Sequence, residues 1–407
     1  MSLMKDKEIT TYGYKWVVLA GFMLVAATNQ GLWITFAPIT SDAMKFYAAS
    51  DIMIGLLSIV FMAVYIVLVL PAAWLIDTWG LRGAVSLGAA LTAVFGVMRG
   101  LFADNFALVF VAQVGIAVGQ PLILGSITKL AGRWFPRDER ATAAGLGTLA
   151  IYLGILASLI VTPPLLNAHG MKTMLLWTGI VSAAAAAFFI ATVREKPPTP
   201  AGPADQEVRS LMFDGLKSMM KQKDFILLLI IFFVGLGMFN GVTTWIEEII
   251  APRGFSGAQA GTAGGLMLIG GIVGAVVIPL VSDSMRRRKP FVLLALAGLL
   301  PGLAGLAFAR SYGLLLASAF VFGLFLLSAG PIGFQYGAEI TLPAPEGTSN
   351  SMLVVMGQVS GILFIFAMDA FKAPDGSMTA SLAILFALTV ASFVLGLFLR
   401  ESPIHRG

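Results

Sequence analysis

The chain has 407 residues, of which 58% are hydrophobic and only 12% are charged, and its mean hydropathy is +0.91. A soluble domain cannot hide that much apolar surface, so the composition excludes a water-soluble globular protein and indicates that lipid surrounds most of the chain. The net charge of +5 requires no nucleic-acid partner, because cytoplasmic loops of membrane proteins are rich in Lys and Arg, and we expect anionic lipid headgroups as their neighbours.

Twelve apolar stretches follow one another along the chain, each about as long as the 20 residues that a membrane-crossing helix needs. Backbone groups in lipid must pair within their own segment, so we expect every stretch to be a helix. Spans 1 to 6 are predicted at 16–40, 52–76, 83–103, 106–130, 141–166 and 172–193. Spans 7 to 12 are predicted at 225–249, 259–282, 290–309, 312–336, 347–370 and 378–399. The predicted fold class is an all-α membrane protein with twelve transmembrane helices.

The cations fall mainly on one side of these spans. Of the 26 Lys and Arg residues, 20 lie on the side of the N-terminus and 6 on the other side. The positive-inside rule then places both termini in the cytoplasm. The first span is longer than the apolar core of a secretory signal and no small-residue cleavage site follows it, so we expect it to be retained. The expected location is the plasma membrane, with a bacterial inner membrane favoured.

A polar segment at 194–224 separates the two sets of spans. It opens with a Pro-rich run at 197–200, which is typical of a stiff linker. From residue 205 onward, apolar residues recur at helical spacing with Lys and Arg between them, which indicates an amphipathic helix on the cytoplasmic leaflet, a partly ordered linker being the alternative. We therefore predict a six-helix bundle at 1–193, this linker, and a second six-helix bundle at 225–407.

The two halves carry matching residues at offsets of 206 or 207 positions. The matches are Asp77 and Arg82 with Asp283 and Arg288, Pro136 and Glu139 with Pro343 and Glu346, and Trp33 with Phe239. Such matches indicate two parallel six-helix repeats, the arrangement expected of a transporter with a site between its halves.

Charged residues at the cytoplasmic ends of the spans are candidates for gates. An acid and a base on neighbouring elements can pair when this side is closed and separate when it opens. The alternative is that such charges are solvated and only set the topology. The predicted gating residues are Asp77, Arg82, Arg133, Glu139, Arg140, Asp283, Arg288, Glu339 and Glu346.

The twelve spans, the six-plus-six repeat and the loop DTWGLR at 77–82 resemble the major facilitator superfamily over the whole chain. More specific stretches resemble transporters related to the feline leukaemia virus subgroup C receptor. These stretches are NQGLWI (29–34), PAAWLIDTWGLR (71–82), QPLILG (120–125), PIGFQY (331–336) and EITLPAPEGTS (339–349). Members of that family are described as carriers of choline and ethanolamine, and some have been proposed to export haem.

The resemblance implies a location for the substrate. In that family a tryptophan of the first helix and glutamines of the fourth and eleventh helices line the choline pocket, which implies Trp33, Gln120 and Gln358 here. A tyrosine of the seventh helix completes the aromatic cage. This sequence departs there, because Asn240 takes its place with Phe239 beside it.

The residues themselves favour the same location. Polar groups deep in the membrane are costly and usually face a cavity or a partner helix. Each such residue therefore either contacts the substrate or forms a hydrogen bond between helices. An aromatic face can hold a quaternary ammonium by cation–π attraction, worth about 2 kcal/mol when desolvated. The predicted substrate-binding residues are Trp33, Gln120, Asn240, Gln358, Phe239 and Asn29.

Charge favours a neutral or cationic substrate. No Lys or Arg falls near the middle of a predicted span, and Arg99 and Arg310 lie near outer ends, whereas an anionic substrate would usually need a deep cation. Glu247, toward the outer end of span 7, is a candidate site for a coupling proton or cation. We expect no metal or other cofactor, because there is no Cys and neither His lies in a span. Haem as a substrate would have Met or Tyr as ligands, or it would bind without ligation.

The leading prediction is a secondary active or facilitative transporter that moves a small polar or cationic metabolite, choline-like or ethanolamine-like, by alternating access. The alternatives are a transporter of a small organic anion such as a monocarboxylate, and a membrane receptor or sensor with a transporter-like fold. An enzyme is not expected, because no catalytic motif is present. The expected partners are the substrate, the lipid bilayer and a coupling proton or cation, and a monomer suffices.

Overall fold

The computed structural model describes residues 12–136, 139–199, 219–342 and 346–402, whose elements are all helical. Among these residues, ten helical stretches are long and apolar enough to cross a membrane, four in the first half and six in the second. Two of the four contain 51 residues each, whereas the other eight contain 19 to 34. The all-helical architecture is as predicted. Most of the predicted amphipathic helix falls on 200–218, outside the described residues.

Among the residues that the structure describes, the first half forms six helices. They are α1 (Tyr14–Ile34), α2 (Thr40–Tyr47, after a 3₁₀ turn at Ala37–Ile39), α3 (Asp51–Leu101), α4 (Phe106–Leu124), α5 (Ile127–Trp134) and α6 (Arg140–Thr192). The start of α4 is fixed by Asn105, whose side chain accepts a hydrogen bond from the backbone N–H of Leu108 at 3.1 Å. This contact satisfies one of the free donors at the helix N-terminus.

The two longest helices, α3 and α6, are each interrupted at one glycine. Gly80 in α3 has φ 78° and Gly170 in α6 has φ 74°. These values lie in a region that other residues rarely adopt, which explains glycine at both positions. Each helix therefore contains two helical segments, and the interruptions fall where the sequence predicts loops between spans 2 and 3 and between spans 5 and 6.

The described residues of the second half form seven helices. They are α7 (Lys223–Thr244), α8 (Ile246–Ile250, followed by a 3₁₀ turn at Ala251–Arg253), α9 (Gly257–Met285), α10 (Lys289–Phe308), α11 (Tyr312–Ile340), α12 (Glu346–Ala370) and α13 (Thr379–Leu397). Span 7 ends earlier than predicted, because the helix breaks at Trp245. Glu247 therefore lies in the separate short helix α8, beyond the membrane-crossing stretch.

Backbone contacts divide the chain into two units. Of the described residues, 12–33, 67–154 and 172–199 form the first unit, and 34–66, 155–171 and 219–402 form the second. The division does not follow the two sequence halves, because two stretches of the first half, 34–66 and 155–171, belong to the second unit. The stretch 34–66 contains the whole of α2 and the start of α3, and 155–171 contains the end of the first segment of α6. Both stretches lie on the side that the sequence predicts to face outward.

Packing within the second unit uses small residues where helices cross. A Cβ added to Gly274 of α9 would overlap the carbonyl of Leu324 in α11, and one added to Gly323 of α11 would overlap the carbonyl of Met267 in α9. Glycine therefore lets these two backbones approach closely, as is common between membrane helices.

One face of α3 has the apolar surface that contact with lipid requires. There Val67, Leu70 and Trp74 follow helical spacing and are 71%, 64% and 62% exposed. A stripe of exposed apolar side chains on one helix face is what a lipid-facing surface requires.

Candidate functional site

Trp33 lies in the last turn of α1 and is only 5% exposed. The carbonyl of the preceding residue, Leu32, accepts hydrogen bonds from Arg99 Nη1 at 3.0 Å and from Gln113 Nε2 at 3.2 Å. Arg99 belongs to α3 and Gln113 to α4, so three helices of the first unit meet at the backbone next to Trp33.

Asn29 lies one turn earlier in α1 and is completely buried. Its Nδ2 donates to Thr92 Oγ1 at 3.0 Å and to the carbonyl of Ile116 at 3.3 Å. Its Oδ1 accepts from Gln30 Nε2 at 3.2 Å. This geometry favours the interhelical hydrogen bond as the role of Asn29, and its contact with substrate stays a prediction.

Gln120 is the polar residue of α4 whose surroundings point most directly to a ligand. It is 6% exposed, and among the described residues no group donates a hydrogen bond to its Oε1. A buried amide oxygen without a donor costs free energy, because it has lost water and gained nothing in return. A ligand with a hydroxyl or amine donor would satisfy it.

In the second unit the predicted residues lie where α7 meets α12. Asn240 of α7 is 9% exposed, and its Nδ2 donates to the carbonyl of Gly357 at 3.2 Å, next to the half-buried Gln358. A Cβ added to Gly361 would lie 2.7 Å from Asn240 Nδ2. The backbone of α12 therefore lies close to the Asn240 side chain, and glycine at position 361 allows this approach. The neighbouring Phe239 is also half-buried.

We call the helix ends that the sequence predicts to be cytoplasmic the inner ends, and the opposite ends the outer ends. At the outer end of the second unit, Lys372 forms ion pairs with Asp51 of α3 and, at 2.6 Å, with Glu248 of α8. Burial lowers the pKa of Lys372, but its hydrogen bonds to the two carboxylates raise that pKa above its usual value. Lys372 thereby joins the start of α3, which belongs to the first sequence half, to α8 of the second half.

Glu247 is the neighbour of Glu248, but its surroundings are different. It is 4% exposed and accepts a hydrogen bond from the backbone N–H of Ser41, in the first turn of α2, at 3.1 Å. No cation of the described residues forms an ion pair with it. Burial raises the pKa of Glu247 to about 7, and the nearby carboxylates of Glu248 and Asp42 act in the same direction. A buried carboxyl group in these surroundings can take up a proton near neutral pH.

At the inner end of the first unit, Glu195 holds the turn between the two segments of α3. Its carboxylate accepts hydrogen bonds from the backbone N–H groups of Leu81, at 3.0 Å, and Arg82, at 2.7 Å. It also forms an ion pair with Arg133. A Cβ at Gly80 would overlap this carboxylate, which gives a second reason for glycine in the DTWGLR loop.

The other predicted gating residues of the first unit also have partners. Asp77 forms an ion pair with Lys129 at 3.3 Å, and Glu139 forms one with Lys15. Arg140 donates from Nε to the carbonyl of Phe135 at 3.2 Å. These contacts connect α1, α3, α5 and the start of α6.

The second unit contains a related arrangement at positions 206 or 207 further along the chain. Glu401 lies 206 positions after Glu195. Its carboxylate accepts hydrogen bonds from the backbone N–H groups of Arg288, at 2.7 Å, and Lys289, at 3.3 Å. The Arg288 side chain forms ion pairs with Asp283 and, at 3.0 Å, with Glu339. The structure thus brings together three of the predicted gating residues.

Two acids of these networks, Glu195 and Glu401, were not among the predicted site residues. The repeat offset of 206 positions was the signal that could have found them. Glu346 begins α12, but its side chain lies outside the part of the chain that the structure describes. Arg99 lies two residues before the end of α3, as predicted, but it is completely buried.

Helices of this length and apolarity, arranged in two units with related networks at their inner ends, define a multi-pass integral membrane protein of the transporter type. The model of the Major Facilitator Superfamily matches residues 18–365. The chain therefore belongs to the Major Facilitator Superfamily, whose members are transporters and not enzymes.

Relatives cover nearly the whole chain. Solute carrier family 49 member A3 of Xenopus tropicalis is 30% identical over 387 residues, which are 90% of this chain and 80% of that protein. The choline/ethanolamine transporter FLVCR2 of Homo sapiens is 27% identical over 399 residues, which are 93% of this chain and 76% of that protein. The predicted resemblance to this group of transporters is confirmed.

Among solved structures, a bacterial homologue of the human lysosomal transporter Spinster, in an inward-facing and unoccupied conformation, has a similar fold. The TM-score is 0.73 at 16% identity, with 96% of this chain and 95% of that chain covered. This likeness concerns the fold alone.

Proposed function

We propose that this protein moves a small cationic or polar metabolite across the membrane by alternating access, and that the substrate is an amine of the choline or ethanolamine kind. The names of its relatives support this substrate class. Transport is secondary active or facilitative.

The observation that carries the proposal is the unsatisfied Oε1 of Gln120 in the same unit as the buried Trp33. Choline and ethanolamine each combine a cationic nitrogen with one hydroxyl group. An indole face attracts the cation, and the Gln120 oxygen accepts a hydrogen bond from the hydroxyl group. The further proposed contacts are Asn29, Phe239, Asn240 and Gln358.

The proposed topology has twelve membrane crossings, with both termini in the cytoplasm. A helix of 51 residues would be about 76 Å long if it were straight, more than twice the roughly 30 Å of the hydrocarbon core. The glycine interruptions of α3 and α6 therefore serve as turns at the membrane surface. The uneven distribution of Lys and Arg supports the orientation, and we propose the plasma membrane of a bacterium as the location.

We further propose that the two groups of ion pairs are gates. The inner networks around Glu195 and Arg288 hold the inner ends of their units, and the Lys372 ion pairs hold the outer end of the second unit closed. Glu247, buried beside these ion pairs without a cation, is the proposed site of a coupling proton.

A small organic anion is the second candidate, and the buried Arg99 favours it. A guanidinium completely removed from water is a group that could attract a carboxylate. Its observed hydrogen bonds go to a carbonyl, an amide and a hydroxyl. These contacts explain why a buried guanidinium is tolerated without an anionic substrate, so the amine remains the better-supported substrate.

Thermal stabilisation of the purified protein tests the substrate class. Choline, ethanolamine, betaine, lactate and haemin are compared at equal concentration, because a ligand that binds only the folded state raises Tm. The proposal predicts a rise with choline or ethanolamine that is lost in Trp33→Ala. A rise with lactate alone would refute the amine and support the anion.

A further inference from the structure

We infer that Arg99 and Gln113 are positioning residues that hold the last turn of α1, and with it Trp33, in the orientation that receives an ammonium group. This inference rests on the proposed function, in which Trp33 contacts the substrate. It adds two residues that do not touch the substrate themselves but determine where the indole points.

The geometry is a closed triangle around one carbonyl. Arg99 Nη1 and Gln113 Nε2 both donate to the Leu32 carbonyl, at 3.0 and 3.2 Å, and Arg99 Nη1 also donates to Gln113 Oε1 at 3.1 Å. The last four carbonyls of a helix have no partner within the helix, and α1 ends at Ile34. The triangle therefore holds the backbone at the end of α1 in place, one residue before Trp33.

The arrangement is stiff for electrostatic reasons. Arg99 and Gln113 are both completely buried, so their polar groups cannot exchange these hydrogen bonds for water without a large cost. The guanidinium is planar and presents its donors in a fixed fork. It also lies at the C-terminus of α1, where the helix dipole attracts a positive charge.

A second anchor one turn earlier makes the orientation of α1 specific. Asn29 is tied to Thr92 of α3 and to Ile116 of α4, the same two helices that supply Arg99 and Gln113. Asn29 and Leu32 are three residues apart and share one face of the helix. Hydrogen bonds at both Asn29 and Leu32 prevent α1 from rotating about its axis. Trp33 lies about 100° around the helix from Leu32, so its direction is fixed as well.

The alternative is a purely structural role, in which these residues only connect helices and do not affect the orientation of Trp33. The two roles can be separated because Arg99 also donates from Nη2 to Thr178 Oγ1 of α6 at 3.2 Å, a hydrogen bond that does not involve α1. Gln113→Glu keeps an acceptor for Arg99 but removes the amide donor to Leu32. Thr178→Val keeps the volume and removes the hydroxyl acceptor on α6. The first variant loosens the end of α1, whereas the second loosens α6.

The absence of cysteine from the sequence allows a test that does not depend on the substrate. Trp33→Cys gives a single thiol, and its rate of labelling by a methanethiosulfonate that carries a trimethylammonium group is measured alone, with Gln113→Glu and with Thr178→Val. We expect Gln113→Glu to change the rate by about threefold to tenfold, the factor for one lost hydrogen bond, and Thr178→Val to leave it unchanged. Equal rates in all three backgrounds, or equal changes in both double variants, would overturn the inference.

Choline uptake with Trp33 intact provides the second measurement. Gln113→Glu should raise KM by a similar factor with Vmax and protein abundance unchanged, and Thr178→Val should not. A loss confined to Vmax or abundance would mean a structural role and would overturn the inference. If Trp33→Ala left choline uptake intact, the proposed function would fail, while the labelling rates would still decide whether Gln113 orients residue 33.

Discussion

Gln120 provides the sharpest test of how the proposed substrate is recognised. Its buried Oε1 has no donor among the described residues, so a substrate hydroxyl would satisfy it and an analogue with a methyl group in place of the hydroxyl would not. A buried acceptor left unsatisfied costs about 1–3 kcal/mol. Wild-type protein should therefore prefer choline to propyltrimethylammonium by at least about fivefold.

The assay is competition by the two cations against labelled choline in proteoliposomes. Gln120→Met keeps the volume of the side chain and removes the acceptor, so the preference should fall to near unity. Gln335→Met is the matched control, because the Gln335 amide is already engaged with Glu339 at 3.0 Å. Its preference should stay at the wild-type value even if its rate falls. An undiminished preference in Gln120→Met would refute the role of this oxygen.

Three further changes test other parts of the proposed mechanism. Trp33→Ala should reduce the affinity for choline by about 30-fold through the lost cation–π attraction, without loss of monodisperse protein; unchanged uptake would remove Trp33 from the site. Gly55→Ala should lower Tm, because a Cβ there would lie 2.9 Å from the buried ring of Trp245 and overpacking costs about 1–3 kcal/mol; an unchanged Tm would contradict this packing. Burial raises the pKa of Glu247 to about 7, so a state in which this carboxyl is buried binds a proton more tightly than the proposed open state, in which it meets water. Uptake should therefore slow as the external pH falls through about 7, and Glu247→Gln should abolish that dependence; a pH profile that Glu247→Gln leaves unchanged would exclude this group.

The sequence predicts the apolar helices and their order well, because the bilayer imposes one length and one composition on every crossing. The offset of 206 positions between Asp77 and Asp283 also anticipates the related inner networks of the two units. These features depend on composition and spacing, which are visible without coordinates.

The partners of individual side chains were beyond prediction from the sequence. Arg99 looked like a charge at a helix end, yet it is buried against the carbonyl of Leu32, 67 positions away. Glu195 looked like part of a polar linker, yet it holds a turn 113 positions away, at Arg82. Such pairings depend on how helices pack, and a buried charge is tolerated only where packing supplies its partners.

Uptake of labelled choline into proteoliposomes that contain the purified protein tests the central claim most directly. The proposed function predicts uptake that saturates, that excess unlabelled choline or ethanolamine abolishes, and that Trp33→Ala loses. Uptake no faster than in protein-free liposomes, together with saturable uptake of lactate, would contradict the amine substrate and establish the small organic anion in its place.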